Sequence, residues 1–208
     1  MFYEARVIEP ETQLILGQLA KIVTPLDFFL VGGTALAIQQ GHRLSVDLDF
    51  FRIEAFDSNE LAEMVLSDIP ANQVISSSEN SLHLVIRGVK VDVLRYSYPL
   101  LESLIEADGY RMASIVDIAA MKLSAITNRG SKKDFFDLAQ LLHSFELREL
   151  LDFYCQKFPQ YDPLFVIRSL SYFDDAELEP DPLMLTRLSW EEVKRKILGE
   201  VKRLARHG

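Results

Sequence analysis

Apolar residues change their spacing part-way along this chain. Up to about residue 97 they fall in short runs and alternations, and beyond about residue 113 they recur every three or four positions. Phe28-Phe29-Leu30-Val31 is a compact apolar run that enters Gly32-Gly33 and then the helical stretch Thr34–Gln40, which predicts strand, tight turn and helix. Val46-Asp47-Leu48-Asp49-Phe50 alternates, so it predicts a strand with Val46, Leu48 and Phe50 on one face and both aspartates on the other. Ser58 is positioned to cap a helix through about Ser67, with Leu61, Met64, Val65 and Leu66 as its buried side. Ser81–Ile86 and Val89–Leu94 flank Arg87-Gly88, which predicts a hairpin.

In the second half, Ser114 followed by Asp117 predicts a capped start to a helix reaching about Thr127, which Gly130 ends. Lys132–Ser144 continues as a helix on the stripe Phe135, Leu138 and Leu142, and further helices are expected near 146–157 and 162–172. Asp174–Pro182 is acidic and contains two prolines, a connector before a last helix capped by Ser189. The fold class expected is α+β: a mixed-sheet domain over residues 1–110 and a helical region over 111–208.

Composition narrows the picture only where it excludes something. At 208 residues and 49% hydrophobic, the chain is long enough to bury a core without disulfides or a structural metal. The longest uncharged stretch, Phe28–Gly41, is 14 residues and holds three glycines and two glutamines, which is too short and too polar to span a bilayer. Glu4, Glu9 and Glu11 interrupt the N-terminus where a secretory signal needs an apolar run, so a cytoplasmic protein is expected. The single cysteine, Cys155, rules out an internal disulfide and is expected as a buried small residue on a helix.

Net charge is −9, yet seven basic and three acidic residues from Arg187 onward leave +4 there against −13 for the rest. This basic terminal helix is either a solvated face or a surface for the phosphates of an RNA partner. His42, His83, His143 and His207 are scattered without zinc-ligand spacing, and no Walker loop, GxGxxG or GxSxG elbow is present. ATPase, dehydrogenase and serine hydrolase chemistries are therefore not expected.

The informative constellation is Gly32-Gly33-Thr34 followed by Asp47-x-Asp49. Glycines let a backbone approach an anion, helix-start N–H groups point at phosphate, and the Thr34 hydroxyl adds a donor. Two like charges on one strand face call for a cation, and hard oxygen donors suit Mg²⁺ bound together with substrate phosphates. The bland alternative is a solvent-facing acidic edge strand. Asp92, between Val91 and Val93, would face the same way from a neighbouring strand and serve a second ion, or else be an ordinary polar-face aspartate. On the first helix of the second half, Lys122 and Arg129 fall in the apolar stripe Ile115, Ile118, Ile126. A triphosphate would partner them, and so would a carboxylate, or Lys122 could snorkel at the edge of the stripe.

Gly32-Gly33-Thr34, Arg43-x-Ser45-x-Asp47-Leu48-Asp49-Phe50-Phe51 and Val91-Asp92-Val93-Leu94 together resemble the DNA polymerase β-like nucleotidyltransferase superfamily, and within it the AbiEii/AbiGii-type toxins. Met121-Lys122-Leu123, Arg129-Gly130 and Lys133-Asp134-x-x-Asp137-Leu138 are similar to that branch's second set of motifs, so the resemblance covers roughly residues 28–142. Thr34 stands where many members have serine, which keeps the hydroxyl.

The resemblance implies transfer of a nucleoside monophosphate from an NTP, with Mg²⁺ or Mn²⁺ and release of pyrophosphate. In characterised toxins of this kind the acceptor can be a tRNA 3′ end, and the setting implied is a toxin–antitoxin pair with a cognate antitoxin and a role in phage defence. It assigns metal binding to Asp47, Asp49 and Asp92, and catalysis to these with Lys122 and Asp134. Nucleotide binding falls to Gly32, Gly33, Thr34, Arg43, Ser45, Lys122, Arg129, Lys133 and Asp137, with the helical region closing over the nucleotide. Acids at a helix start are also favoured by the helix dipole, so Asp134 and Asp137 need no site role on sequence grounds alone. Arg43 serves equally as a phosphate contact or as an ion pair orienting Asp47. Two rivals remain: the same enzyme with a small-molecule or protein hydroxyl as acceptor, and a catalytically idle NTP-binding member of a toxin–antitoxin pair.

Overall fold

The alternation around the aspartates and across the Arg87-Gly88 turn becomes one mixed sheet in a computed structural model that describes residues 2–69 and 72–207. The chain divides into two compact units, Met1–Ser114 and Ile115–Gly208.

In the first unit, α1 (Glu4–Val7) and α2 (Pro10–Val23) lead into β1 (Phe29–Val31), α3 (Gly32–Gln40), β2 (Leu48–Arg52) and α4 (Ser58–Asp68). The remaining strands are β3 (Asn72–Ser78), β4 (Ser81–Ile86), β5 (Val89–Arg95), β6 (Ile105–Glu106) and β7 (Arg111–Met112). Their order is β3-β4-β5-β2-β1-β7-β6. β2 runs parallel to β5 and antiparallel to β1, and β3, β4 and β5 form an antiparallel meander. Leu48 and Phe50, Leu82, Leu84 and Ile86, and Val91 and Val93 are all buried, while the residues between them on each strand are half-buried or exposed. One sheet face therefore carries the core, and the other is left for polar side chains.

Arg87 and Gly88 both have positive φ, 48° and 85°, the backbone of a type I′ turn, whose twist matches the strands it joins. That two-residue turn fixes the register of β4 on β5, with Ile86 opposite Val89 and His83 opposite Asp92.

Several expectations change at this level. The strand with both aspartates begins at Leu48, so Asp47 precedes it and Val46 is 55% exposed instead of sharing the buried face of Leu48 and Phe50. The cause is a loop pinned by side chains: Thr34 donates to the Asp47 carbonyl and Arg43 Nη1 to the Leu44 carbonyl at 2.9 Å. The period of two starts only after it. Asp57, one residue earlier than expected, caps α4 by accepting from the Asn59 and Glu60 N–H groups. Ser58 turns away and donates to the Ser78 carbonyl at 2.5 Å. The buried face of α4 is Leu61, Ala62 and Val65, and Met64 and Leu66 are exposed, because its stripe follows the 3.6-residue period more narrowly than the apolar count suggests. α2 and β3 are not expected from the sequence pattern at all. β3 reads Asn-Gln-Val-Ile-Ser-Ser-Ser, a turn-like composition held in a strand by its ladder to β4.

The second unit is helical: α5 (Ile115–Arg129), α6 (Lys132–Leu141), α7 (Leu147–Lys157), α8 (Pro163–Ser169), the short α9 (Asp174–Glu177) and α10 (Trp190–His207). α5 packs on α6, α7 and α8, and α10 on α6 and α7. Trp190 anchors α10 in an aromatic cluster, its ring centroid 5.8 Å from both Phe135 and Phe136 and 5.7 Å from Phe173. Ser189 caps α10, its Oγ accepting from the Glu192 N–H at 3.3 Å while its own N–H donates to Glu192 Oε2 at 2.8 Å. Asp117, expected as a capping residue, is instead wholly buried against Lys157, Nζ to Oδ1 2.6 Å. Cys155 is half-buried on α7 rather than buried. Among the described residues no helix is long and apolar enough to cross a membrane.

Candidate active site

Two aspartates, Asp49 and Asp92, lie on the polar side of the sheet in the first unit, and Asp47 sits in the loop just before it. Asp49 on β2 is in register with Asp92 on the parallel neighbour β5, so the two carboxylates leave the same sheet face side by side, and Asp47 lies two residues before Asp49. Strand pairing thus does what the alternation alone could only suggest.

The glycines explain themselves through what lies against them. Gly32 has φ +70°, a left-handed conformation, and a Cβ there would stand 2.5 Å from Asp49 Oδ2. A Cβ on Gly33 would collide with Nη2 of the buried Arg43 guanidinium. The double glycine therefore opens the first turn of α3 to one carboxylate and one cation. α3 starts at Gly32, so its unsatisfied N–H groups are where an anion would be received.

Thr34 is put to a different use from the one its motif suggests. It is buried, donates to the Asp47 carbonyl, and its oxygen lies 2.8 Å from Ser45 Oγ. It fixes the loop carrying Asp47, and Ser45 supports it, its own N–H donating to the Val7 carbonyl at 2.7 Å.

Asp92 is held on both oxygens. His83 Nδ1 is 2.7 Å from Oδ1, and Lys90 Nζ is 3.2 Å from Oδ2. His83 Nε2 in turn lies 2.9 Å from Ser81 Oγ. Since a carboxylate only accepts, the His83 Nδ1–H donates to it, and the Ser81 hydroxyl can donate to Nε2. His83 and Lys90 are members of this cluster that motif reading missed. A signal existed: counting back from the Arg87-Gly88 turn sets His83 opposite Asp92 and leaves Lys90 on the same face.

Hard carboxylate oxygens at Asp47 and Asp49, beside a glycine-lined helix start, have the donor chemistry of a Mg²⁺ site completed by phosphates. The expected three-carboxylate cluster is not assembled. Among the described residues no group of three or more His, Cys, Asp or Glu side chains is gathered to hold a metal ion, and both oxygens of Asp92 already have protein partners. A cavity of about 540 Å³ in this unit lies elsewhere, lined by residues 55–59 and 77–80.

In the second unit the remaining motif residues come together. Lys122 is buried, with Nζ 2.8 Å from Asp134 Oδ1 and 2.5 Å from Asp137 Oδ2. Arg129 reaches the same Asp134, Nε to Oδ2 2.8 Å and Nη2 to Oδ1 3.2 Å. The partner of Lys122 is thus a pair of carboxylates one helix on. Burial alone would push the Asp134 carboxyl up, but the Lys122 charge and the Arg129 hydrogen bond outweigh it and hold Asp134 below the usual carboxylate range. Arg129 remains 58% exposed at the edge of this network, and Lys133 is half-buried on the first turn of α6.

Residues 14–205 match the model of a protein family described as nucleotidyl transferase AbiEii toxin, type IV TA system. An Aquifex aeolicus (strain VF5) protein described as uncharacterized protein aq_aa25 is 37% identical over 188 residues, covering 85% of this chain and 87% of its own. Among solved structures, JHP933 from Helicobacter pylori is 20% identical with a TM-score of 0.62, covering 95% of this chain and 91% of its own. MenT4, nucleotidyltransferase toxin Rv2826c from Mycobacterium tuberculosis H37Rv, is 15% identical with a TM-score of 0.60, covering 92% and 83%. At such identities the two structures speak to the fold, and the family match to the activity.

Proposed function

Because the chain belongs to the AbiEii family of nucleotidyltransferase toxins, we propose that it moves a nucleoside monophosphate from an NTP to an RNA hydroxyl, such as a tRNA 3′ end, using Mg²⁺ or Mn²⁺ in the cytoplasm. The family is one of type IV toxin–antitoxin systems, which suggests a cognate antitoxin.

In the transfer, the acceptor oxygen bonds to the α-phosphorus, the bond from that phosphorus to the departing pyrophosphate breaks, and the acceptor gives up its proton. Such a reaction asks the protein mainly for positioning and charge neutralisation. The first turn of α3, kept open by Gly32 and Gly33, receives phosphate oxygens on its N–H groups, and Arg43 behind Gly33 supplies positive charge. Asp47 and Asp49 would hold the divalent cation, which neutralises phosphate charge when bound. Thr34 and Ser45 keep Asp47 in place. In the second unit we assign phosphate contacts to Arg129 and Lys133, with Lys122, Asp134 and Asp137 as the network that orients Arg129.

The observation carrying this reading is the Asp49 carboxylate set in the space left by the missing Cβ of Gly32, at the start of α3 and in register with Asp92. RNA is favoured as the acceptor by the basic terminal helix. Incubating the protein with Mg²⁺, labelled NTPs and total RNA tests it. Asp49→Asn should lower RNA labelling by at least about 100-fold, the worth of several kcal/mol of metal-assisted stabilisation. Labelling equal to the unmodified protein would overturn the metal assignment.

A further inference from the structure

The sheet face that carries Asp49 and Asp92 is not polar throughout. On β2 the next residue of that face is Phe51, and on β5 the face continues through Leu94 to Tyr96, just past the strand end. All three are half-buried, whereas Phe50, Val91 and Val93 of the opposite face are buried. The ladder sets Phe51 beside Leu94, and the Tyr96 N–H extends it by donating to the Arg52 carbonyl at 2.7 Å. The Phe51 and Tyr96 rings stack with centroids 4.5 Å apart and planes at 19°, and the Tyr98 ring follows at 5.1 Å and 55°. Tyr98 is half-buried as well.

Register also sets which side of the carboxylates the rings occupy. β1 runs antiparallel to β2 with Val31 opposite Asp49, so Gly32 and the start of α3 lie toward the beginning of β2, and Phe51 lies toward its end. The anion cradle and the rings therefore flank the Asp49–Asp92 row from opposite sides. In an in-line transfer the attacking oxygen approaches the phosphorus from the side opposite the departing pyrophosphate. With pyrophosphate on the start of α3, that side is the one with the rings. Two residues along a strand span about 7 Å, within reach of a ribose that has its base on the rings and its hydroxyl at the row. We propose that Phe51, Tyr96 and Tyr98 form a stacking surface for the base of the acceptor's terminal nucleotide. Aromatic rings accept any base through its π face, so the surface favours a nucleoside acceptor without choosing among bases. The inference rests on the nucleotidyl-transfer reading and names how its acceptor is held.

Initial rates of labelling of total RNA by the full chain, with Mg²⁺ and NTP, test this. Tyr98→Leu keeps an apolar side chain without a ring, and Tyr98→Phe keeps the ring. The leucine variant should raise the RNA concentration at half-maximal rate about 10-fold, within what stacking of one base supplies, and leave the NTP dependence unchanged. The phenylalanine variant should match the unmodified protein. A ring that only packs predicts the same RNA dependence in both variants, and that result overturns the inference. So does a rise confined to the NTP, which would put the NTP base on the rings. If Tyr98→Leu does not fold, Phe51→Leu against Phe51→Tyr carries the same comparison. A fluorescent oligoadenosine RNA should also bind the unmodified protein about 10-fold more tightly than its counterpart lacking the 3′-terminal base, and equal binding overturns the inference. Unmodified protein that labels no RNA overturns the transfer reading and this inference with it. RNA labelling that Tyr98→Leu leaves unchanged overturns this inference alone.

Discussion

Gly32 and Gly88 share a left-handed backbone, φ +70° and +85°, but differ in what surrounds them. Alanine at either position should lower stability by about 1–2 kcal/mol through backbone strain. At Gly88 nothing lies within 4 Å of the added Cβ, so activity should be kept, whereas at Gly32 the Cβ displaces the Asp49 carboxylate and RNA labelling should be lost. Denaturant melts and labelling assays on the two variants separate strain from site damage, and equal activities would show that Asp49 does not need that space. At the residue scale the alternation around Asp49 and the double glycine before α3 were legible, because both are local patterns. Thr34 and Lys122 were less legible. Thr34, read as a phosphate donor, turns to the Asp47 carbonyl, and Lys122, for which a triphosphate and a carboxylate were both open, pairs with the Asp134 and Asp137 carboxylates. A sequence shows what a side chain can bond to, and packing decides which of the candidates is nearest.

At the level of elements, α5 and α7 meet around a charged pair with no exposed surface, Asp117 and Lys157, 2.6 Å apart. Burial pulls the Lys157 ammonium below its ordinary value, and the Asp117 hydrogen bond and charge oppose that pull. Removing one partner leaves a buried charge uncompensated, so Lys157→Met should destabilise the protein by about 3–5 kcal/mol. Adding Asp117→Leu should recover most of that loss. Equilibrium unfolding of the single and double variants checks this, and a double variant no more stable than the single one would contradict the account. This pair was invisible in the sequence, where Asp117 looked like a capping residue and nothing singled out Lys157. The residues are 40 positions apart, and no period connects them. Hairpin register is the opposite case, because the turn type alone aligns β4 on β5.

Across the whole molecule charge is unevenly placed. On α10 the protein engages Lys194 with Glu177 and Glu191, Lys196 with the Ala139 carbonyl, and Arg203 with Glu146 and Glu200. Arg195, Lys202 and Arg206 stay exposed, seven and four residues apart, on one helical stripe. The apolar face of α10, with Val193 and Ile197, is buried in the second unit, and the stripe is a face for the RNA proposed as acceptor. Changing these three residues to glutamine should weaken RNA binding. The slope of log affinity against log salt should fall by about 2 to 3, as expected for three lost phosphate contacts. An unchanged slope with RNA still labelled would move the acceptor contact elsewhere.

Local chemistry and periodicity determined the division into a strand-rich and a helical half, the β4–β5 hairpin, and the aspartates and glycines of the site. These follow from turn geometry, helix and strand periods and the donor properties of single side chains, all properties of neighbours in the chain. Tertiary structure alone decided that Lys122 answers to α6, that Asp117 is buried with Lys157, and that β3 is a strand. Each depends on which distant groups share a low-dielectric space or a ladder, where an unmet hydrogen bond or charge is costly enough to select the partner.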